Sequence, residues 1–183
     1  TEITVQNISD GITLQQEIRK KGEGAYSPLG QKPVKQTNVQ TVFPVQEICL
    51  WEPENPHLYE IRTSLWKNGE MIDARVDITG FREAGFRKDG FYLNGKKLRL
   101  RGLNRHQSYP YVGYAAPASM QIFDADILKK ELGVNAVRTS HYPQSQDFIR
   151  RCDEIGLLVF TEFPGWQHIG DEEWKRQAVQ NLK

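Results

Sequence analysis

A chain of 183 residues with 38% hydrophobic and 26% charged side chains has the make-up of an ordinary folded protein and excludes collagen-like and disordered classes. Its 24 basic and 23 acidic residues leave a formal net charge of +1, which gives no long-range attraction for nucleic-acid phosphates or anionic membrane surfaces. No stretch reaches the roughly 20 apolar residues that span a bilayer, so neither nucleic acid nor membrane is expected as a partner.

The chain opens on Thr1 rather than Met, so a missing leader says nothing about export and the compartment stays open. From Thr1 to Arg82 apolar residues recur at every second position, as in Ile3 and Val5, then Tyr59, Ile61, Thr63 and Leu65, then Ile72, Ala74, Val76 and Ile78. A period of two marks half-buried β-strands. Turn chemistry separates them at Asp10-Gly11, at Pro53 to Pro56 and at Asn68-Gly69, the last suited to a tight primed hairpin turn. The Gly-, Pro- and Lys-rich stretch from Lys20 to Lys35 reads as a long surface loop. Short strands at this spacing predict an antiparallel, immunoglobulin-like sandwich over residues 1–82. Cys49 in this half and Cys152 in the next are too few for a disulfide framework, and both are expected to be buried small hydrophobes.

Residues 85–101 predict a further hairpin turning on Asn94-Gly95, and after it the period changes. Phe123, Ile127 and Leu128 lie on one face of a helix that starts near Asp124 and Asp126 and stops at Gly133. Ser145 caps a second helix with Phe148, Ile149, Cys152 and Ile155 on its apolar face and Gly156 at its end, and Leu157 to Phe160 form the next strand. Asp171 opens a third helix. Strand, helix, strand, helix, strand in that order predicts parallel strands and right-handed crossovers. The expected fold is therefore multi-domain: an immunoglobulin-like β-sandwich over 1–82, then the first three βα units of a (β/α) barrel over 83–183. A closed barrel takes about 250 residues, so this barrel is expected to be incomplete.

Catalytic groups of such barrels sit at the C-terminal ends of the strands. Three successive predicted ends carry Asn104-Arg105-His106, then Arg138 and His141, then Glu162. Imidazole and guanidinium can hold sugar hydroxyls, and two histidines at successive strand ends favour ligand binding over structural histidines. Glu162 could be catalytic, ligand-binding or an ion-pair partner of Arg105 or Arg138, with ion pairing favoured. Trp166 and His168 follow in a Gly-containing loop, where the indole either stacks on a sugar ring or packs the loop down. A zinc site from His106, His141 and His168 is disfavoured because no short-spaced ligand pair exists. The other acids, Asp147, Asp153, Glu154 and Glu172, fall on predicted helices.

Several runs together resemble the middle of a family 2 glycoside hydrolase, the family of bacterial β-galactosidases, β-glucuronidases and β-mannosidases. They are Leu50-Trp-Glu-Pro-Glu-Asn-Pro-His-Leu-Tyr59, Gly80-Phe-Arg82, Asn94-Gly95, Arg101-Gly-Leu-Asn-Arg-His106, Val137-Arg-Thr-Ser-His-Tyr-Pro143 and Cys152-Asp-Glu-Ile-Gly156. The resemblance implies that the chain is a fragment of a retaining exo-β-glycosidase, closest to those acting on terminal β-galactosides, with glucuronides, mannosides or a non-catalytic carbohydrate-binding role as alternatives. It places both catalytic glutamates on later strands, so no catalytic residue is assigned here and the chain alone is expected to be inactive. What it carries over is a substrate-binding wall of Asn104, Arg105, His106, Arg138, His141, Glu162, Trp166 and His168. Gln107 stands where several galactosidases have an acid, and Trp166 where the best-known ones place a magnesium-binding glutamate, so no cofactor is expected and the resemblance argues against a magnesium requirement. The oligomeric state of the parent is left open.

Overall fold

The computed structural model describes residues 2–165 and 167–182. The chain divides into two compact units, Thr1–Trp51 with His57–Arg82, and Glu52–Pro56 with Glu83–Lys183.

The first unit is a sandwich. Strand β1 (Glu2–Thr4) pairs antiparallel with β4 (Asn38–Gln40) in one sheet, while β2 (Ile12–Lys20), β3 (Ser27–Pro33), β5 (Tyr59–Lys67) and β6 (Glu70–Thr79) form the other, in the order β3-β2-β5-β6. Val5, Ile12, Leu14, Val34 and Val39 make its buried core, with Ile3, Ile8 and Leu65 packed against it. Gln16 is buried beside them and satisfied at both ends: its amide donates to Thr63 Oγ1 at 3.0 Å and its carbonyl accepts from Thr41 Oγ1 at 2.7 Å. Trp51, 2% exposed, is held by Gly80, where a Cβ would come within 2.9 Å of the indole. Trp51 N also donates to Phe81 O at 2.8 Å, so the Leu50-Trp51 and Gly80-Phe-Arg82 runs pack together.

Three expectations for this unit are corrected. The stretch from Lys20 to Lys35 is not simply a loop, because β3 pairs with β2 from Ser27 to Pro33; an edge strand tolerates Pro28 and Pro33, whose missing N–H groups would break a central ladder. The apolar stripe Ile72, Val76 and Ile78 does not face the core and is about half exposed (51%, 49% and 49%). The Asn68-Gly69 turn, with φ of 53° and 81°, closes the expected hairpin. Then Trp66 pairs with Met71 but Leu65 with Asp73, so Ile72 is the extra residue of a bulge. One inserted residue flips every later side chain to the other face, and Asp73, Arg75 and Asp77 take the places opposite Leu65, Thr63 and Ile61. Cys49 is exposed, not buried.

In the second unit β7 (Ala84–Arg87), β8 (Gly90–Leu93) and β9 (Lys96–Leu98) form an antiparallel meander, with Asn94 and Gly95 at φ of 51° and 77° in its second turn. Strands β10 (Gly102–Arg105), β11 (Ala136–Thr139) and β12 (Leu158–Thr161) are parallel neighbours in that order. Between them run α1 (Ala118–Asp126), continuing through a π-helical turn at Ile127–Glu131, and α2 (Gln146–Ile155); α3 (Glu172–Asn181) follows β12. The molecule is thus an immunoglobulin-like sandwich followed by the opening strands of a (β/α) barrel. Helix α2 is built as its sequence dictates: Ser145 Oγ accepts from Asp147 N, and Gly156 ends the helix in the left-handed conformation. Ala125, Leu128, Val137, Phe148, Cys152 and Leu157 form the core between helices and sheet. In α1 the buried positions are Gln121 and Ala125, followed by Leu128; Phe123, expected on the inner face, is 58% exposed. A polar residue occupies the core position because the Arg105 guanidinium donates to the Gln121 amide oxygen at 2.7 Å.

Burial pushes the Cys152 thiol up to about 12, and burial together with a hydrogen bond to Asp124 pushes the Tyr109 phenol up to about 12. Both groups keep their protons in the folded chain at pH values where the unfolded chain has lost them. The stability these two groups contribute to the second unit is therefore expected to be complete below about pH 9 and to be lost as pH rises towards 12. Urea midpoints measured from pH 8 to 11 should fall, and Cys152→Ala should flatten the decline.

Candidate functional site

Strand register decides which side chains share a face. Asn104, Arg138 and Phe160 are cross-strand partners, as are Arg105, Thr139 and Thr161, and parallel partners point the same way while neighbours along a strand alternate. Val137 belongs to the helix-packed core, which sets the parity: Arg105 and Thr139 face the helices, and Asn104 and Arg138 face the opposite side. On that side the Phe160 ring lies 6.3 Å from Phe91 and 6.1 Å from Phe86, so the meander packs against the sheet there.

At the C-terminal ends the side chains converge. Glu162 pairs with Arg138 at 2.9 Å and with His141 Nδ1 at 3.0 Å. The His141 ring lies edge to face with His106, centroids 5.4 Å apart, and the Tyr142 hydroxyl reaches His106 Nδ1 at 3.4 Å. Burial raises the Glu162 carboxyl, but hydrogen bonds and charge from His141 and Arg138 outweigh it, so Glu162 sits below the ordinary carboxylate range. An ionised Glu162 accepts from His141 Nδ1–H, which turns the Nε2 edge of that imidazole away from the carboxylate. Thr139 sets Glu162 from behind: its hydroxyl donates to Phe160 O at 3.3 Å and accepts from Glu162 N at 3.0 Å. The cluster thus offers imidazole edges and guanidinium N–H groups held in place beside one ionised carboxylate, which suits hydroxyl recognition.

Of the residues singled out in the sequence, His106, Arg138, His141 and Glu162 come together, and Asn104 lies exposed on the same sheet face. Arg105 does not join them. It is 6% exposed, with its guanidinium bonded to Asp124, Gln121 and Gln144 and stacked 4.0 Å over Phe148, so its placement on the substrate wall is corrected by strand parity. His168 lies edge-on to Trp174, 5.7 Å between centroids, at the start of α3. Trp166 lies outside the described residues. Tyr142 and Thr139 join the cluster without having been singled out in the sequence; Tyr142 stands within the Ser-His-Tyr-Pro run, whereas only strand register marks Thr139. Among the described residues no three His, Cys, Asp or Glu side chains gather as a metal-ligand set.

Comparison with known proteins agrees with this architecture. Residues 2–82 match the family described as glycosyl hydrolases family 2, and residues 85–181 match the TIM barrel domain of glycosyl hydrolases family 2. The chain is similar to a β-galactosidase of Thermoanaerobacterium thermosulfurigenes, 57% identical over 152 residues covering 83% of this chain and 21% of that protein. It is also similar to a β-galactosidase of Thermoanaerobacter pseudethanolicus, 50% identical over 184 residues covering all of this chain and 25% of that protein. Among solved structures, an FMN-binding β-glucuronidase from Facaelibacterium prausnitzii L2-6 superposes with a TM-score of 0.80 at 31% identity, covering 94% of this chain and 26% of the other. The chain spans a quarter or less of the length of those two β-galactosidases. With both of its units matched in sequence and the fold shared, this chain belongs to the family 2 glycosyl hydrolases.

Proposed function

We propose that this chain supplies one wall of the sugar-binding pocket of a retaining exo-β-glycosidase whose substrates are terminal β-galactosides. The observation that carries the reading is the convergence of His106, Arg138, His141 and Glu162 at the ends of β10, β11 and β12. Arg138 is already neutralised by Glu162 at 2.9 Å. That favours a neutral galactosyl ring over a glucuronate, whose carboxylate needs an uncommitted cation. The names of the two bacterial relatives support the same sugar, while that of the solved structure supports the glucuronide alternative.

Retaining hydrolysis uses two carboxyl groups about 5 Å apart, one of them a general acid with a raised pKa. Glu162 is held ionised by the Arg138 guanidinium and a hydrogen bond from His141 Nδ1, which makes it a poor acid and a good anchor for His141. Residues 1–183 are therefore expected to bind a galactoside without hydrolysing it.

The test titrates the chain with methyl β-galactoside, β-glucuronide and β-mannoside while following the imidazole signals of His106 and His141 by NMR. The galactoside should bind most tightly, and His141→Ala should weaken it by about tenfold, the loss of one directed hydrogen bond. Preference for the glucuronide would change the sugar. Turnover of an aryl β-galactoside that Glu162→Gln abolishes would overturn the anchoring role.

A further inference from the structure

The stretch from Gln107 to Pro117, between β10 and α1, is absorbed neither by the fold nor by the cluster at the strand ends. It is a folded loop. Tyr109 N donates to Gly113 O at 3.1 Å, Gly113 N returns the bond to Tyr109 O at 2.9 Å, and Ala115 N donates to Val112 O at 3.1 Å. The loop is fastened to α1 by the Tyr109 hydroxyl, which donates to Asp124. At its other end Gln107 Oε1 accepts from Ser145 N at 2.8 Å. On this fixed base Tyr111 stands fully exposed at a φ of 72°, and Tyr114 is 65% exposed. A non-glycine residue at positive φ costs on the order of 1 kcal/mol, and such strain gathers at functional sites.

Tyr114 is tied to the sugar-facing wall through rings. Its centroid lies 5.9 Å from Tyr142 at 76°, Tyr142 lies 6.0 Å from His106 at 58°, and His106 lies 5.4 Å from His141 at 74°. The polar end of this row holds Glu162 and the outer end presents an aromatic ring to solvent. A glycoside has the same two-part character, with a hydroxyl-rich ring at one end and, beyond the anomeric oxygen, a second group that is often a ring with an apolar face. Aromatic side chains recognise such faces by contact area at low cost in conformational freedom.

We propose that Tyr114, braced by Tyr142, is a specificity-determining platform for the group beyond the anomeric oxygen, taking an aryl ring or the C–H face of a second pyranose. The inference rests on the reading of the strand-end cluster as the sugar wall. It assigns to the Gln107–Pro117 loop the choice of leaving group, a choice that the cluster itself does not make.

The experiment uses the 183-residue chain and three probes: methyl β-galactoside, phenyl β-galactoside and lactose. Dissociation constants are read from the His106 and His141 imidazole signals. In the unaltered chain the phenyl glycoside or lactose should bind about fivefold tighter than the methyl glycoside, the gain of one ring contact. Tyr114→Ala should erase that preference and Tyr114→Phe should keep it, with far-UV circular dichroism confirming that both variants fold. Equal affinity for all three probes in the unaltered chain, or a preference that survives Tyr114→Ala, overturns the platform and leaves the sugar wall standing. Imidazole signals that no galactoside moves overturn the wall and the platform with it.

Discussion

Gly156→Ala is expected to destabilise the second unit by about 3 kcal/mol or more, and Gly133→Ala by only about 1 kcal/mol. Both glycines end helical segments in the left-handed region, at φ of 75° and 64°. The conformational cost of adding a Cβ is therefore shared. Their surroundings differ: nothing lies within 4 Å of a Cβ built on Gly133, whereas one on Gly156 would meet Pro53 O at 2.0 Å and Pro53 C at 2.6 Å. Pro53 is backbone held in place. Lys129 Nζ donates to Pro53 O at 2.9 Å and to Gly156 O at 2.8 Å, and Glu52 and Asn55 exchange backbone bonds at 3.2 and 3.0 Å. Burial lowers the Lys129 ammonium below its ordinary range, and the charge of Glu54 acts against that shift. Urea unfolding of both variants measures the difference directly. Equal losses would mean that residues 52–56 move aside freely and are not part of the packed unit.

Helix α2 and the strand after it were legible because each signal there is local: Ser145 at the cap, Phe148 and Cys152 at helical spacing, Gly156 at the stop. The convergence of His106, Arg138, His141 and Glu162 was legible for a related reason, since strand ends of a parallel sheet lie side by side by construction. What escaped the sequence depends on partners that no local pattern names. Strand β3 hides behind two prolines because an edge tolerates them. The apolar stripe of β6 faces the wrong way because the single extra residue at Ile72 inverts every position after it. Phe123 is exposed because Gln121, not an apolar residue, takes the inner place on α1. Arg105 and Arg138 look equivalent in sequence, each close to a strand-end histidine. Only the register, which pairs Arg138 with Asn104 and not with Arg105, sends them to opposite faces.

Arg105→Met is expected to cost about 3 kcal/mol of stability, the loss that follows when one partner of a buried ionic network is removed. The guanidinium engages three side chains. Its Nε and one terminal nitrogen reach Asp124 Oδ2 at 2.8 and 2.7 Å, and the terminal nitrogens also donate to Gln144 at 2.5 Å and to Gln121 at 2.7 Å. Gln144 returns a bond to the Arg105 carbonyl at 2.6 Å, closing a ring of contacts between β10, α1 and the segment before α2. Methionine fills much of the space over Phe148 but leaves a carboxylate and two amides with fewer partners. Arg105→Lys should recover little, because a single ammonium cannot present a planar fork to three acceptors. A double variant, Arg105→Met with Asp124→Leu, should lose clearly less than the sum of the single losses, since the second change removes the half-buried carboxylate that the first leaves without its guanidinium partner. Urea midpoints of Arg105→Met, Asp124→Leu and the double variant decide this. Strictly additive losses would show that the contacts contribute independently. A weaker galactoside with unchanged stability would return Arg105 to the sugar wall.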